Sequence, residues 1–402
     1  MNIVMNDESK RLKIAYLTAE DPRNTRSWSG STYYMAQALQ KHCGDVHCLG
    51  PIRVIERRIG SALNKSAHYL FKKHIAYERL FFVAKKHAKV AVQRLAEQPF
   101  DVIFAPLGTP EVAFLETDIP IVIAEDATFH LIHNYLPQYS HLLQRSAYEA
   151  YAIQDRAYKK VHALLFPTEW AAQSAVEDVC IEQQKVHVVP LGANFEEIPP
   201  KSIAQARKKS DRCRLLFVGL GWERKGGDIA FETLLSLEEM GILAELVVCG
   251  CIPPEKFVHE RMPIIPYLDK SDDRQRKELE NLYVSADFLL VPTRRDCYGL
   301  VFCEASAFGL PSIATNTGGV AGIIKDGVNG FTLPYDARGA EYARVIAEIY
   351  SNDQRYADLV KSSRAAFEDR LNWDAWGMTA KKILMAIVTG KAEEVLVGRG
   401  SR

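Results

Sequence analysis

Two carboxylates eight positions apart, Asp296 and Glu304, stand in the stretch RRDCYGLVFCEASAFGLPSIATNTGGVAGIIKDGVNGF, residues 294–331. The preceding ADFLLVPTRRD predicts a buried strand ending at Pro292 and then a loop, and the apolar run from Leu300 has helical spacing. Asp296 is thus expected at a strand's carboxyl end and Glu304 about one turn into a helix. The first N–H groups of such a helix, here those of Gly299, Leu300 and Val301, have no partner within it and form a seat for phosphate. A carboxylate inside that turn can accept both hydroxyls of a ribose beside the phosphate. A loop carboxylate can hold hydroxyls at the other end of a diphosphate. The chemistry that suits this spacing is the grip of a nucleotide sugar. A helix with a loop aspartate and a surface glutamate has the same spacing, so the acid pair alone leaves both readings open.

The elements around the pair follow a repeated plan. LKIAYLTA (12–19) reads as a strand and STYYMAQALQKH (31–42) as a helix, followed by the strand-like runs DVHCLG, DVIFAP, IPIVIA, ALLFPT and KVHVVP. FEEIPPKSIAQARKKSDR (195–212) reads as a linker, after which RLLFVG, AELVVCG, MPIIPYL, ADFLLVP, LPSIAT and GFTLP restart the rhythm, with helices expected near 227–240, 274–284 and 338–350. This predicts an α/β protein of two doubly wound, Rossmann-like domains, 1–195 and 196–370, with a cleft between the carboxyl ends of their sheets. A last amphipathic helix covers 371–390, a candidate to cross back to the first domain, and 391–402 reads as a loose tail.

The totals agree with this plan. A chain of 402 residues is too long for one core, and 48% hydrophobic with 25% charged residues is an ordinary globular balance. Lys+Arg and Asp+Glu are each 50, which gives no polyanion-binding signature, and no nucleic-acid reading module is present. The eight cysteines form no CxxC pair or zinc-type spacing, consistent with a reducing, cytoplasmic setting. The N-terminal residues carry no secretory pattern, and no run approaches the length of a membrane span. One segment breaks the neutral balance: residues 51–95 hold eleven Lys or Arg against Glu56 and Glu78, interleaved with Tyr69, Phe71, Tyr77, Phe81 and Phe82. Two readings stand for it. It is either a pair of sheet-covering helices with solvated cations, or a peripheral contact with an anionic membrane.

The run Asp296-Cys-Tyr-Gly-Leu-Val-Phe-Cys-Glu304, with the ASAFGLPSIATNTGGVAGIIKDGVNGF that follows it, resembles the E-x7-E region of glycosyltransferase family 4, retaining enzymes of the GT-B fold. The resemblance extends from the strand at 12–19 to the helix at 371–390. It implies a hexosyltransferase that uses a nucleoside diphosphate sugar, such as a UDP- or GDP-sugar, with no cofactor and no metal ion. The absence of a D-x-D triplet agrees with this. The acceptor would be a hydroxyl of a glycan, a lipid-linked sugar or a small molecule, in cell-surface glycan or glycolipid synthesis at the inner membrane face.

The resemblance also distributes roles. Lys225, six residues after Gly219, takes the place of a lysine that pairs with the donor diphosphate. Leu220 stands where the family usually has an arginine, and Arg224 is the candidate replacement cation. Phosphates would also rest on the backbone of Gly299 and Leu300, ribose on Glu304 and the donor sugar on Asp296, one methylene shorter than the usual glutamate. Gly318 and Gly319 match a loop whose N–H groups face the diphosphate, and Gly30, flanked by Ser29 and Ser31 as candidate N-caps, matches a glycine-rich loop near the attacked carbon. Asp126 stands where the family often has a histidine in the cleft, with Glu125 beside it, while His130 and His133 read as ordinary loop residues. Thr168, Glu169 and Trp170 read as a helix cap. Two rivals remain in view: a GT-B phosphorylase or epimerase, and a catalytically decayed sugar-nucleotide-binding or partner-subunit protein.

Overall fold

The computed structural model describes residues 11–52 and 57–390, with 57–59 as backbone only. The N-terminal residues 1–10, the tail 391–402, Arg53 and Glu56, and the side chains of Arg57 and Arg58 lie outside the described residues. The chain divides into two compact units, Met1–Val189 with Trp376–Arg402, and Pro190–Ala375.

In the first unit, six parallel strands, β1 (Leu12–Tyr16), β2 (Gly44–Cys48), β3 (Val102–Pro106), β4 (Ile121–Ala124), β5 (Ala163–Phe166) and β6 (Val186–Val188), lie in the order β2-β1-β3-β4-β5-β6. Every residue of β3, β4 and β5 is buried, as a parallel sheet covered on both faces requires. The chain moves from β1 to one neighbour, β2, and then returns to the other, β3. The strand order therefore reverses between β1 and β3, and a crevice forms at their carboxyl ends. The helix Phe81–Leu95 lays Val83, Ala84, Ala88, Ala91 and Leu95 onto this sheet.

The final helix, Trp373–Thr389, contributes to the first unit from Trp376 onward. Trp376 is 1% exposed and meets Phe104 of β3 edge-on at 5.8 Å. A side chain at Gly377 would strike the His42 ring at 2.5 Å, so the glycine permits the close approach of this helix to Ser31–His42.

The second unit repeats the plan with β7 (Cys213–Val218), β8 (Ala244–Cys249), β9 (Ile264–Ile265), β10 (Phe288–Val291), β11 (Ser312–Thr315) and β12 (Gly330–Leu333), ordered β12-β11-β10-β7-β8-β9. Here the reversal falls between β7 and β10, paired at Phe288 with Leu215 and Leu289 with Leu216. Its core gathers Leu215, Phe217, Leu246, Leu290 and Ile313 from the strands with Leu234 and Ile346 from the helices Gly227–Glu239 and Gly339–Tyr350.

The segment 195–212 is not a free linker. It contains a short helix, Lys201–Gln205, and Arg207 donates to the carbonyls of Val284 at 2.9 Å and Tyr283 at 2.6 Å, and also to Ala286, at the end of the helix Asp273–Ser285. Its paired prolines and charges read as solvent-loving punctuation, whereas the guanidinium satisfies carbonyls that a helix end leaves open.

Among the described residues, no helix is long and apolar enough to cross a membrane.

Candidate functional site

In the second unit, three loops meet at the reversal point. After β7 the chain passes Gly219, whose missing side chain leaves room for the Lys225 stem; a Cβ there would lie 2.7 Å from Cγ of Lys225. Lys225 is 7% exposed, and its ammonium pairs with Asp296 in the loop after β10. The two loops are stitched by their backbones as well. Arg294 N–H donates to the Arg224 carbonyl at 2.8 Å, and the Arg224 guanidinium donates to the Arg295 carbonyl at 3.1 Å. The third loop, after β11, brings Gly318 in the left-handed region (φ 53°) and Gly319, whose N–H donates to the Asp296 carbonyl at 3.1 Å.

Gly299 precedes the helix Leu300–Ala307 with φ 100°, and a Cβ on it would lie 3.4 Å from the Asp296 carboxylate. The N-terminus of that helix is therefore beside the Lys225–Asp296 pair. Lys225, Asp296, Gly299, Leu300, Gly318 and Gly319 share one place. Arg224 adjoins it, spending a donor on the loop that carries Asp296.

Glu304, one turn into the helix, is 3% exposed. Its Oε1 accepts from the Lys270 ammonium and its Oε2 from the Tyr283 hydroxyl at 2.9 Å. Burial, and after it the charge of Glu304, hold the Tyr283 hydroxyl well above the usual tyrosine range, so it stays a donor. Burial likewise pushes the Cys303 thiol up to about 12, leaving an inert neighbour. Lys270 and Tyr283 escape sequence reasoning. Tyr283 looks like one more apolar position of the helix Asp273–Ser285, and Lys270 like a loop cation ahead of it. Only the crossing from β9 back to β10 brings both against Glu304.

In the first unit, the loop after β1 ends in Trp28 and Ser29, both left-handed (φ 46° and 55°), and in Gly30 (φ 95°), the N-cap of Ser31–His42. Neither Ser29 nor Ser31 caps this helix, contrary to the sequence expectation. The N-cap is Gly30, whose left-handed backbone makes the turn. Ser31 Oγ is buried without a partner among the described residues.

Asp126, after β4, accepts from Trp28 Nε1 at 3.2 Å, which joins it to the Gly30 loop. Its neighbour Glu125 turns inward: 3% exposed, it accepts from Thr109 Oγ1 and from the Tyr158 hydroxyl at 2.9 Å. Burial raises the Glu125 carboxyl above its usual range despite the opposing Arg79 charge. His130 pairs with Gln154 at 2.9 Å and His133 with the Tyr151 hydroxyl at 2.8 Å, within the packing around the short helix Phe129–Ile132. Thr168 caps Glu169–Glu177 by accepting from Ala171 N–H.

Comparison with known proteins bears on both units. Residues 200–366 match the family described as "Glycosyl transferases group 1". A D-inositol 3-phosphate glycosyltransferase of Xylanimonas cellulosilytica is 28% identical over 229 residues, 53% of this chain and 54% of that protein. The chain spans about half the length of the curated relatives it matches. Among solved structures, sucrose-phosphate synthase from Thermosynechococcus elongatus superposes with a TM-score of 0.69 at 16% identity, covering 94% of this chain and 100% of that one. Anabaena Alr3699/HepE, solved with UDP-glucose, gives 0.61 at 14% identity over 94% and 100%. At these identities the likeness carries the fold, which is GT-B: two parallel, doubly wound sheets in one chain.

Proposed function

We propose that this chain, whose residues 200–366 match the group 1 glycosyl transferases, moves a sugar from a nucleoside diphosphate sugar to an acceptor hydroxyl with retention at the anomeric carbon. The observation that carries the reading is the convergence of Lys225, Asp296 and the Gly299 helix start at the β7/β10 reversal, with buried Glu304 one turn away. The donor diphosphate takes Lys225 from Asp296 and rests on the N–H groups of Gly299, Leu300 and the Gly318–Gly319 turn. Glu304 accepts the ribose hydroxyls, and the released Asp296 meets the sugar. As the bond from the anomeric carbon to phosphate breaks, negative charge grows on the leaving diphosphate, and the lysine offsets it without a metal ion. The acceptor oxygen bonds to the anomeric carbon on the face the phosphate leaves, and its proton passes to a departing phosphate oxygen. Asp126 and the Gly30 loop are the first unit's candidates for handling the acceptor.

The helix Arg57–Phe71 suits an acceptor presented on an anionic membrane at its inner face: Tyr69, Leu70 and Phe71 are 80%, 66% and 62% exposed beside Lys65, Lys72 and Lys73. The neighbouring helix Phe81–Leu95 covers the sheet instead.

Thermal unfolding with UDP, GDP, ADP and their sugar conjugates tests the reading. A ligand at about 100 times its Kd adds about 2.7 kcal/mol, and Glu304→Ala should abolish the shift. No shift with any nucleotide would overturn it. Transfer in the presence of EDTA and the product's anomeric coupling constant test metal independence and retention. Sedimentation with anionic vesicles, lost in a Leu70→Ser/Phe71→Ser variant, tests the membrane contact.

A further inference from the structure

We infer that Lys270 and Tyr283 are positioning residues that lock the Glu304 carboxylate to receive the two vicinal hydroxyls of a ribose, an inference that rests on the nucleotide-sugar reading above. The two donors divide the carboxylate between them, Lys270 on Oε1 and Tyr283 on Oε2. A carboxylate offers about four lone-pair sites, so about one remains on each oxygen. That is the pattern a cis-diol matches, one hydroxyl to each oxygen. Had both protein donors fallen on one oxygen, the two hydroxyls would have had to share the other.

Each donor is itself fixed. The Tyr283 ring is fully buried, stacked on Phe308 at 5.3 Å and edge-on to Phe195 at 5.6 Å. The Lys270 ammonium sits over the Phe195 ring at 4.6 Å and reaches the Asn194 carbonyl at 3.4 Å. Phe195 thus braces both donors, and its own place is set by the strap that the sequence presented as a linker. The carboxylate rotamer is frozen before the nucleotide arrives, which removes part of the ordering cost of binding. A ribose lacking one hydroxyl would leave one aimed lone pair unmet in a buried setting, so the arrangement should select ribonucleotides over 2′-deoxyribonucleotides.

The test is calorimetric titration with the nucleoside diphosphate that stabilises the protein (UDP, GDP or ADP) and with its 2′-deoxy counterpart. The wild type should prefer the ribo form by about 10-fold, the worth of one good hydrogen bond. Lys270→Met and Tyr283→Phe should each reduce that preference to about threefold or less, while unliganded unfolding temperatures report that both variants fold. Should Tyr283→Phe fail to fold, Lys270→Met, altered at a side chain that is 31% exposed, carries the test. If Glu304→Ala erases the preference while both variants keep the wild-type ratio, the two residues merely neutralise a buried acid and the inference is wrong, with the ribose assignment intact. If the wild type shows no preference, or Glu304→Ala retains it, the ribose assignment itself falls and the inference with it.

Discussion

Both units place loops at or next to the point where strand order reverses, yet they load them differently. At β7/β10 the second unit assembles formal charges already neutralised by one another: Lys225 with Asp296, and Lys270 with Glu304 one turn along the helix. Around β1 and β4 the first unit holds a left-handed Trp28-Ser29-Gly30 turn, Asp126 accepting from the Trp28 indole, and the buried Glu125 accepting from Thr109 and Tyr158. A buried ion pair is a poor source of net stability, because desolvation of both partners offsets their attraction. The Lys225–Asp296 pair makes sense as exchangeable partners, in which a polyanionic ligand takes the cation and a polyhydroxyl ligand takes the acid, while Lys270 stays on Glu304 and aims it. The fold is repeated; the electrostatic investment is not.

The largest expected effect tests whether the first unit depends on the chain's return. Trp376→Ala removes a fully packed indole from Phe104 of β3, which should cost about 3–5 kcal/mol of unfolding free energy. Chemical denaturation measures it. Because Trp376 belongs to the first unit, nucleotide affinity at the second should change by less than about twofold at temperatures where the variant is folded. A parallel loss of nucleotide affinity would break the comparison, since it would make the two sites one energetic unit.

Next comes the exchange itself. Lys225→Met strips the cation from the leaving diphosphate and leaves Asp296 without that partner beside Gly299. By the usual worth of one preorganised charge-stabilising donor, kcat should fall by about 10²–10³-fold. Asp126→Asn keeps size and the capacity to accept from Trp28 and should cost about 10-fold or less. Steady-state kinetics on the two variants rank the units directly. A larger loss at Asp126 would move the chemistry to the first unit.

Much of this architecture was legible because each buried strand is a short apolar run between turn residues, and because the alternation with helices is regular. The clustering of Asp296, Gly299 and Glu304 was legible for the same reason: strand end, loop and helix start are local in sequence. What stayed hidden depends on crossings. Lys270 and Tyr283 reach Glu304 only after the chain returns from β9 to β10. Arg207 looked like a solvated linker charge and instead caps the carbonyl end of a helix. Ser29 and Ser31 looked like caps because their side chains can accept, but the left-handed backbone from Trp28 to Gly30 makes Gly30 the N-cap. Residue type limits what a side chain can do; long-range topology decides whether it is asked.

The smallest expected effect concerns the acid that the first unit buries. Glu125 has its folded pKa raised by burial, so in the folded state it binds its proton more tightly than in the unfolded chain. The stabilisation from that proton is fully present below the unfolded carboxyl pKa of about 4.5 and is lost as pH rises through the folded value. Glu125→Gln keeps a group that can accept from Thr109 and Tyr158 and cannot ionise. The difference in unfolding free energy between wild type and variant should therefore drift in the variant's favour as pH rises from about 4 through the folded pKa, and level off above it. Urea titrations at a series of pH values read this drift. A drift of the opposite sign would mean that Arg79, which faces the same carboxyl, dominates burial and holds Glu125 ionised. The first unit would then contain a buried charge pair of its own, and the contrast with the Lys225–Asp296 and Lys270–Glu304 pairs would narrow to which pairs lie at a reversal point, where a ligand can reach them.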